Sequence, residues 1–183
     1  MVDRIIAVTG LPGAGKSIVS EVAREMGYHV YSMGDVVRDE ADRLGIECAP
    51  TNLGLLALEL RKKNGPAIVA RMLVDRVKQD DAATVVVEGI RSIEEVKEFR
   101  KGFKVGILSV VCPKKVRYLR LKARGRSDDP RNIAEFNERD ERELDFGISK
   151  VIDSADWHIS NETDEKTLRR EVNRVLLEIV SIG

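Results

Sequence analysis

GLPGAGKS, Gly10 to Ser17, follows the apolar run IIAV (Ile5 to Val8) and precedes the amphipathic stretch Ile18 to Met26. It satisfies G-x-x-x-x-G-K-[S/T] at every fixed position, between a predicted strand and a predicted helix. A loop of this kind wraps an anion with backbone N–H groups. Glycine allows that because it takes positive φ and lets the backbone approach phosphate closely, the part expected of Gly13 and Gly15. The next helix turns its positive end toward the anion, Lys16 sets an ammonium on the outer phosphates, and the Ser17 hydroxyl suits Mg²⁺. Gly10, Leu11, Pro12, Gly13, Ala14, Gly15, Lys16 and Ser17 are therefore the expected ATP-binding loop.

Outward from the loop, short β-branched runs alternate with longer amphipathic stretches, the pattern of a parallel sheet covered by helices on both faces. The expected strands are Ile5 to Val8, His29 to Ser32, Thr84 to Val87, Val105 to Val111 and Trp157 to Ser160. Asp164 to Val180 reads as a closing amphipathic helix, with Leu168, Val172, Val175, Leu176 and Ile179 on one side. Helical segments with no strand fill Asp35 to Asp80, where Thr51 is the expected N-cap, Gly65 a C-cap and Pro66 part of the next helix's first turn. A second insertion, Gly125 to Gly147, is crowded with charge. The expected fold is α/β: a P-loop NTPase fold with a five-stranded parallel sheet flanked by helices, plus helical acceptor-binding and lid insertions. It forms one domain over 1–183, with a core of 1–34, 81–124 and 148–183, an acceptor-binding insertion at 35–80 and a lid at 125–147.

Composition narrows the function. The 183 residues carry 31 Lys and Arg against 31 Asp and Glu, so the basic excess that general nucleic-acid or membrane-surface binding requires is missing. Any basic site must be local. The longest apolar run, Val105 to Cys112, broken only by Gly106 and Ser109, is far short of the ~20 residues that span a bilayer. MVDRIIAVTG shows no secretory leader, and the expected location is the cytoplasm. Cys48 and Cys112, without CxxC partners, read as two buried thiols, and His29 and His158 as isolated, so neither zinc nor a disulfide is expected.

ATP binding requires a second ligand before it becomes chemistry. SMGDVVRDEA (Ser32 to Ala41) follows the second strand and VVVEGIR (Val85 to Arg91) ends the third. Ligands of open α/β sheets bind beyond the carboxyl ends of the strands, so both segments should flank the loop. Arg38 and Arg91 would then grip one anion through planar, bidentate guanidinium groups. Glu88, at the end of an apolar strand, is the expected second Mg²⁺ ligand, directly or through water. Between Lys114 and Arg126 lie seven basic residues and no acid. Arg117, Arg120 and Arg124 share a helical face and would repel one another unless an anion such as ATP sits among them. Arg131, Arg139 and Arg142 follow, interleaved with acids that read largely as solvated partners.

These segments resemble those of nucleoside monophosphate kinases, the adenylate kinase group in particular, over almost the whole chain. GDVVR (Gly34 to Arg38) resembles that group's acceptor-phosphate segment and EGIR (Glu88 to Arg91) its DGxPR-type segment. The resemblance implies that Gly34, Asp35, Arg38, Gly89 and Arg91 meet the acceptor and that Arg120 lies near the donor adenine. It also implies that Arg124, Arg126 and one of Arg139 or Arg142 gather around the transferring group. Dephospho-CoA kinases are similar too, notably in ADWHISN (Ala155 to Asn161), which places Asn161 near the adenine. Taken together the chain resembles most a mainly archaeal family of adenylate-kinase-related proteins. It departs from adenylate kinase in Met33, Glu88, the missing proline of EGIR and a lid without zinc-binding cysteines. The implied reaction moves the γ-phosphoryl group of Mg-ATP to a small phosphorylated acceptor of nucleotide (AMP-like) type. Asp35 is the expected base if the acceptor group is a hydroxyl; it otherwise assists Mg²⁺ or caps its helix. The alternatives are a dephospho-CoA-kinase-like metabolite kinase and a P-loop ATPase or nucleotide-binding switch without a small acceptor.

Overall fold

The computed structural model describes residues 1–125 and 129–181. A single five-stranded sheet runs in the order β2-β3-β1-β4-β5, every pair parallel. Its strands are β1 (Arg4–Thr9), β2 (His29–Ser32), β3 (Thr84–Ile90), β4 (Lys104–Val111) and β5 (Trp157–Ser160). All five expected strands are present. β3 runs on past Val87, because Glu88 still pairs in register with Val8 of β1 and Ser32 of β2.

Two cores explain why the strands read as continuous apolar runs. Ile5, Ala7, Val85, Val87 and Ile107 face one layer, where they meet Met33 and Val36 of α2 (Met33–Arg43), Leu73 of α4 (Ile68–Lys78) and Phe99 of α5 (Ile93–Arg100). The alternate residues Ile6, Val8, Val86, Leu108 and Val110 face the other, against Val19 and Val22 of α1 (Lys16–Glu25) and the apolar side of α9 (Glu165–Ser181). That side is made of Leu168, Val172, Val175, Leu176 and Ile179, all buried. Period-two alternation thus serves both faces, as a doubly covered parallel sheet requires.

Between β2 and β3 the chain forms α2, α3 (Pro50–Asn64) and α4 with no strand. Thr51 does not cap α3: Pro50 occupies the first turn and Ala49 the cap position, since proline's fixed φ suits a helix start. Gly65 does end α3, at φ 90°, and Pro66 lies in the turn ahead of α4. Beyond α6 (Lys114–Arg124) lie α7 (Ile133–Asp145) and α8 (Ile148–Asp153).

Neither cysteine is fully buried. Cys48 is exposed, its thiol donating to Asp42 at 3.3 Å, and Cys112 is half-buried beside Arg120. His29, isolated in sequence, pairs with Asp80 at 2.9 Å across the β2 edge. Among the described residues no helix is long and apolar enough to cross a membrane.

Candidate active site

Parallel strands deliver their carboxyl ends to one rim, and the candidate site is built there. β1 ends at Thr9, whose Oγ1 donates to the Ile90 carbonyl at 2.8 Å, tying the start of the phosphate loop to the end of β3. The loop then turns through Gly13 at φ 80° and Gly15 at φ 110°, conformations that L side chains rarely adopt. Space excludes a side chain as well: a Cβ on Gly13 would lie 2.8 Å from the Arg117 carbonyl oxygen, and one on Gly15 2.2 Å from Asn161 Nδ2.

Lys16 opens α1 and folds back over the loop, donating to the Gly10 carbonyl at 2.5 Å and the Leu11 carbonyl at 3.2 Å. Burial lowers its pKa to about 8, the nearby Glu143 carboxylate partly opposing that fall. An ammonium so desolvated gains most from an arriving anion.

A cavity of about 470 Å³ lies over the loop. Gly10, Pro12, Gly13, Gly15, Lys16 and Ser17 line it from one side. Ser32, Gly34 and Arg38 enter from the end of β2, and Glu88, Gly89 and Arg91 from β3. Arg120, Arg124, Arg139, Glu143 and Asn161 also line it. The two arginines expected to converge therefore do face one space with Lys16. Arg91 is held by Glu143, its Nε donating to Oε2 at 2.6 Å, and by the Gly89 carbonyl at 3.0 Å. Glu88 lines the same cavity as Ser17 and accepts from Ser20 Oγ at 2.6 Å. Ser17 and Glu88 thus offer a hydroxyl and a carboxylate to one space, a donor set that fits a hard cation such as Mg²⁺.

A second cavity of about 440 Å³ adjoins the first, sharing Gly34, Arg38, Arg91, Arg139 and Glu143 with it. Its apolar lining is Val37 of α2, Leu53 and Ala57 of α3, and Phe146 beyond α7, set beside the charged Arg131, Glu135, Glu138 and Arg142, with the Arg61 guanidinium 4.4 Å from the Phe146 ring centroid. Arg61 also donates to the buried Glu95 at 2.8 Å, and Glu95 accepts the Arg91 backbone N–H at 2.7 Å. Two adjoining rooms meet at Arg38, Arg91 and Arg139.

Residues 9–137 match the model of the AAA domain. Over 179 residues, 98% of this chain and 96% of the relative, the sequence is 42% identical to a UPF0200 protein of Hyperthermus butylicus. A UPF0200 protein of Methanothermobacter thermautotrophicus is also 42% identical, with 98% of this chain and 92% of the relative covered. The chain belongs to the UPF0200 family. Among solved structures the fold is similar to TT1252 from Thermus thermophilus, with TM-score 0.68 and 25% identity over 97% of this chain and 98% of that one. It is also similar to shikimate kinase from Aquifex aeolicus, with TM-score 0.56 and 20% identity over 98% and 99% of the chains. The architecture is thus kinase-like, and the expected P-loop fold is the observed one.

Within this UPF0200 chain several expected residues lie elsewhere. Asp35 lines neither cavity; its carboxylate turns to Arg38, and the cap of α2 is Ser32, whose Oγ accepts from the Gly34 N–H at 3.2 Å. Arg142 lines only the second cavity, against the bare backbone of Gly54, whereas Arg139 lines both. Leu11 and Ala14 support the loop through their carbonyls rather than face the space. Arg126 lies outside the described residues. Asn161 lines the first cavity, but its amide is engaged: Nδ2 donates to the Ala14 carbonyl at 2.7 Å and Oδ1 accepts from Arg120 at 3.2 Å.

Arg117 corrects the expectation of a bare arginine face. It is buried, and its guanidinium forks onto Asp140 at 2.7 and 2.5 Å while also donating to the Pro12 carbonyl at 3.0 Å. Its counter-charge comes from α7, not from a ligand. Asp140 and Glu143, which read as solvated partners, are both buried. With Phe136 they occupy positions i, i+4 and i+7 of α7, an inward face whose spacing was visible beside its aromatic residue.

Proposed function

We propose that this protein is an ATP-dependent phosphotransferase that moves the γ-phosphoryl group of Mg-ATP to a small phosphorylated acceptor of nucleotide type. The observation that carries the reading is the meeting of Lys16, Arg38 and Arg91 in one cavity, with a second room of partly apolar lining that shares Arg38, Arg91 and Arg139 with it. Donor phosphates lie on the loop beneath Lys16, and Arg120 and Asn161 belong to the donor side. The acceptor's phosphate is taken by Arg38 and Arg91, and its body enters the room between α2, α3 and Phe146.

Charge is the obstacle such a reaction faces. Two unit charges ~4 Å apart oppose each other by about 4 kcal/mol at an effective dielectric near 20, and two phosphate-bearing ligands bring several such pairs. Lys16, Arg38, Arg91, Arg124 and Arg139 offset them, with Arg142 adding its charge from the second room. Ser17 and Glu88 would hold Mg²⁺, which when bound supplies further positive charge beside the β and γ phosphates. An acceptor phosphate is already ionised, so no protein base is required, and the outward-turned Asp35 is consistent with that. Catalysis is then alignment, preorganised positive charge and exclusion of water.

The test is ADP formation from Mg-ATP with AMP, the other nucleoside monophosphates or dephospho-CoA added singly. Turnover that depends on one monophosphate is the expected result. Dependence on dephospho-CoA alone would assign a hydroxyl acceptor and bring Asp35 back as base. ADP released at one rate whatever is added would contradict transfer to a small acceptor.

A further inference from the structure

α7 points two carboxylates into the protein, and they have different partners. Asp140 is saturated by Arg117. Glu143, three residues on, reaches the cavity itself. Its Oε2 lies 2.6 Å from Arg91 Nε, and it is the carboxylate whose charge acts most strongly on Lys16. Burial would push this carboxyl up, but the charge and hydrogen bond of Arg91, then Lys16 and Arg139, outweigh it and hold Glu143 below the ordinary glutamate range. It is therefore an ionised carboxylate set among cations, in the cavity where phosphoryl groups would have to lie.

We propose that Glu143 is a built-in substitute for a substrate phosphate: it keeps Arg91 aimed into the cavity and is exchanged for a phosphoryl oxygen when the substrate enters. The inference rests on the reading of this cavity as a phosphate site. Two features support exchange rather than permanent pairing. A carboxylate and a phosphate compete for the same guanidinium edge, and phosphate brings the greater charge. Arg91 also has a second anchor, since its NH1 donates to the Gly89 carbonyl at 3.0 Å and its backbone N–H to Glu95 at 2.7 Å, so it stays in place when Glu143 departs. Glu143 is in this sense a positioning residue that acts through Arg91.

The experiment is calorimetric titration of the intact protein with inorganic tripolyphosphate, comparing wild type with Glu143→Gln and Glu143→Asp. The glutamine keeps an oxygen to accept from Arg91 and removes the charge; the aspartate keeps the charge. Glu143→Gln is expected to bind tripolyphosphate roughly tenfold tighter than wild type, the scale of one like-charge contact removed, while Glu143→Asp shows no such gain. A residue of structural value alone would weaken binding or leave it unchanged when replaced, and either result in a glutamine variant with unaltered melting overturns the proposal. Should that variant fold poorly, the carboxyl ¹³C resonance of Glu143 in the wild-type protein reports the same event. It is expected to shift on titration with tripolyphosphate, and an unmoved resonance at saturation contradicts exchange. Tripolyphosphate binding without a gain in Glu143→Gln sinks this inference alone, whereas absence of binding in every form removes the phosphate site as well.

Discussion

Lys16 is where the chemistry is most exposed to test. It is the ammonium nearest the loop, and replacing it with alanine removes a preorganised charge without disturbing either core. Lys16→Ala is expected to lower phosphoryl transfer by at least ~10²-fold, the usual weight of one such group, with an unchanged melting curve. Because burial lowers the Lys16 pKa to about 8, the free protein loses this charge as pH rises through that value. A bound polyphosphate favours the charged form, so binding above pH 8 must take up a proton. Nucleotide affinity is therefore expected to be level between pH 6 and 7 and to fall by up to ~10-fold per pH unit above 8. Titrations in buffers of different ionisation enthalpy should show that proton uptake at pH 9; its absence would place the titrating group elsewhere. The loop around Lys16 was fully legible in the sequence because its requirement is local: positive φ at Gly13 and Gly15 and a cation at the helix start.

Among elements, α6 and α7 depend on each other in a way that local pattern does not reveal. Arg117 leaves α6, meets Asp140 of α7 and touches the loop at the Pro12 carbonyl, so one buried ion pair links α6, α7 and the phosphate loop. Asp140→Ala leaves the guanidinium buried without its counter-charge and is expected to destabilise the fold by about 3–5 kcal/mol in denaturant titration. Replacing both partners, Arg117→Met with Asp140→Leu, should recover most of that loss, as apolar replacement of a buried pair commonly does. If the double variant is as unstable as the single, the ion pair is not the source of the effect. The strands and α9 were legible because their periodicity states which faces are covered. Partners such as Arg117 with Asp140 and Arg91 with Glu143, 23 and 52 positions apart, were not. A charge in a crowded run looks the same whether its partner is water or a buried group of opposite sign. Of the readings of Asp35 only the cap is settled: Ser32, three residues earlier, already supplies it, and the aspartate pairs with Arg38.

At the scale of the molecule, parallel topology makes the site. Five carboxyl ends share one rim, and β2, β3 and β1 place Ser32, Glu88 and Val8 in one row, so residues from three distant segments reach the same space. The two cavities then divide the labour, one against the loop and one between α2, α3 and Phe146. Arg38 lines both, and Arg38→Ala should raise the acceptor KM by roughly tenfold or more while ATP affinity moves little. Equal loss on both sides would assign that arginine to the donor.

The central claim is that donor and acceptor phosphates occupy one cavity between Lys16 and the Arg38–Arg91 pair. A crystal structure with a dinucleoside polyphosphate, which joins donor and acceptor in one molecule, tests it most directly. The account predicts a phosphate chain running from the loop to the β2 and β3 ends, with both guanidinium groups about 2.7–2.9 Å from oxygens at its acceptor end. A chain that follows the loop but leaves Arg38 and Arg91 turned away, with the room beside Phe146 unfilled, would contradict it.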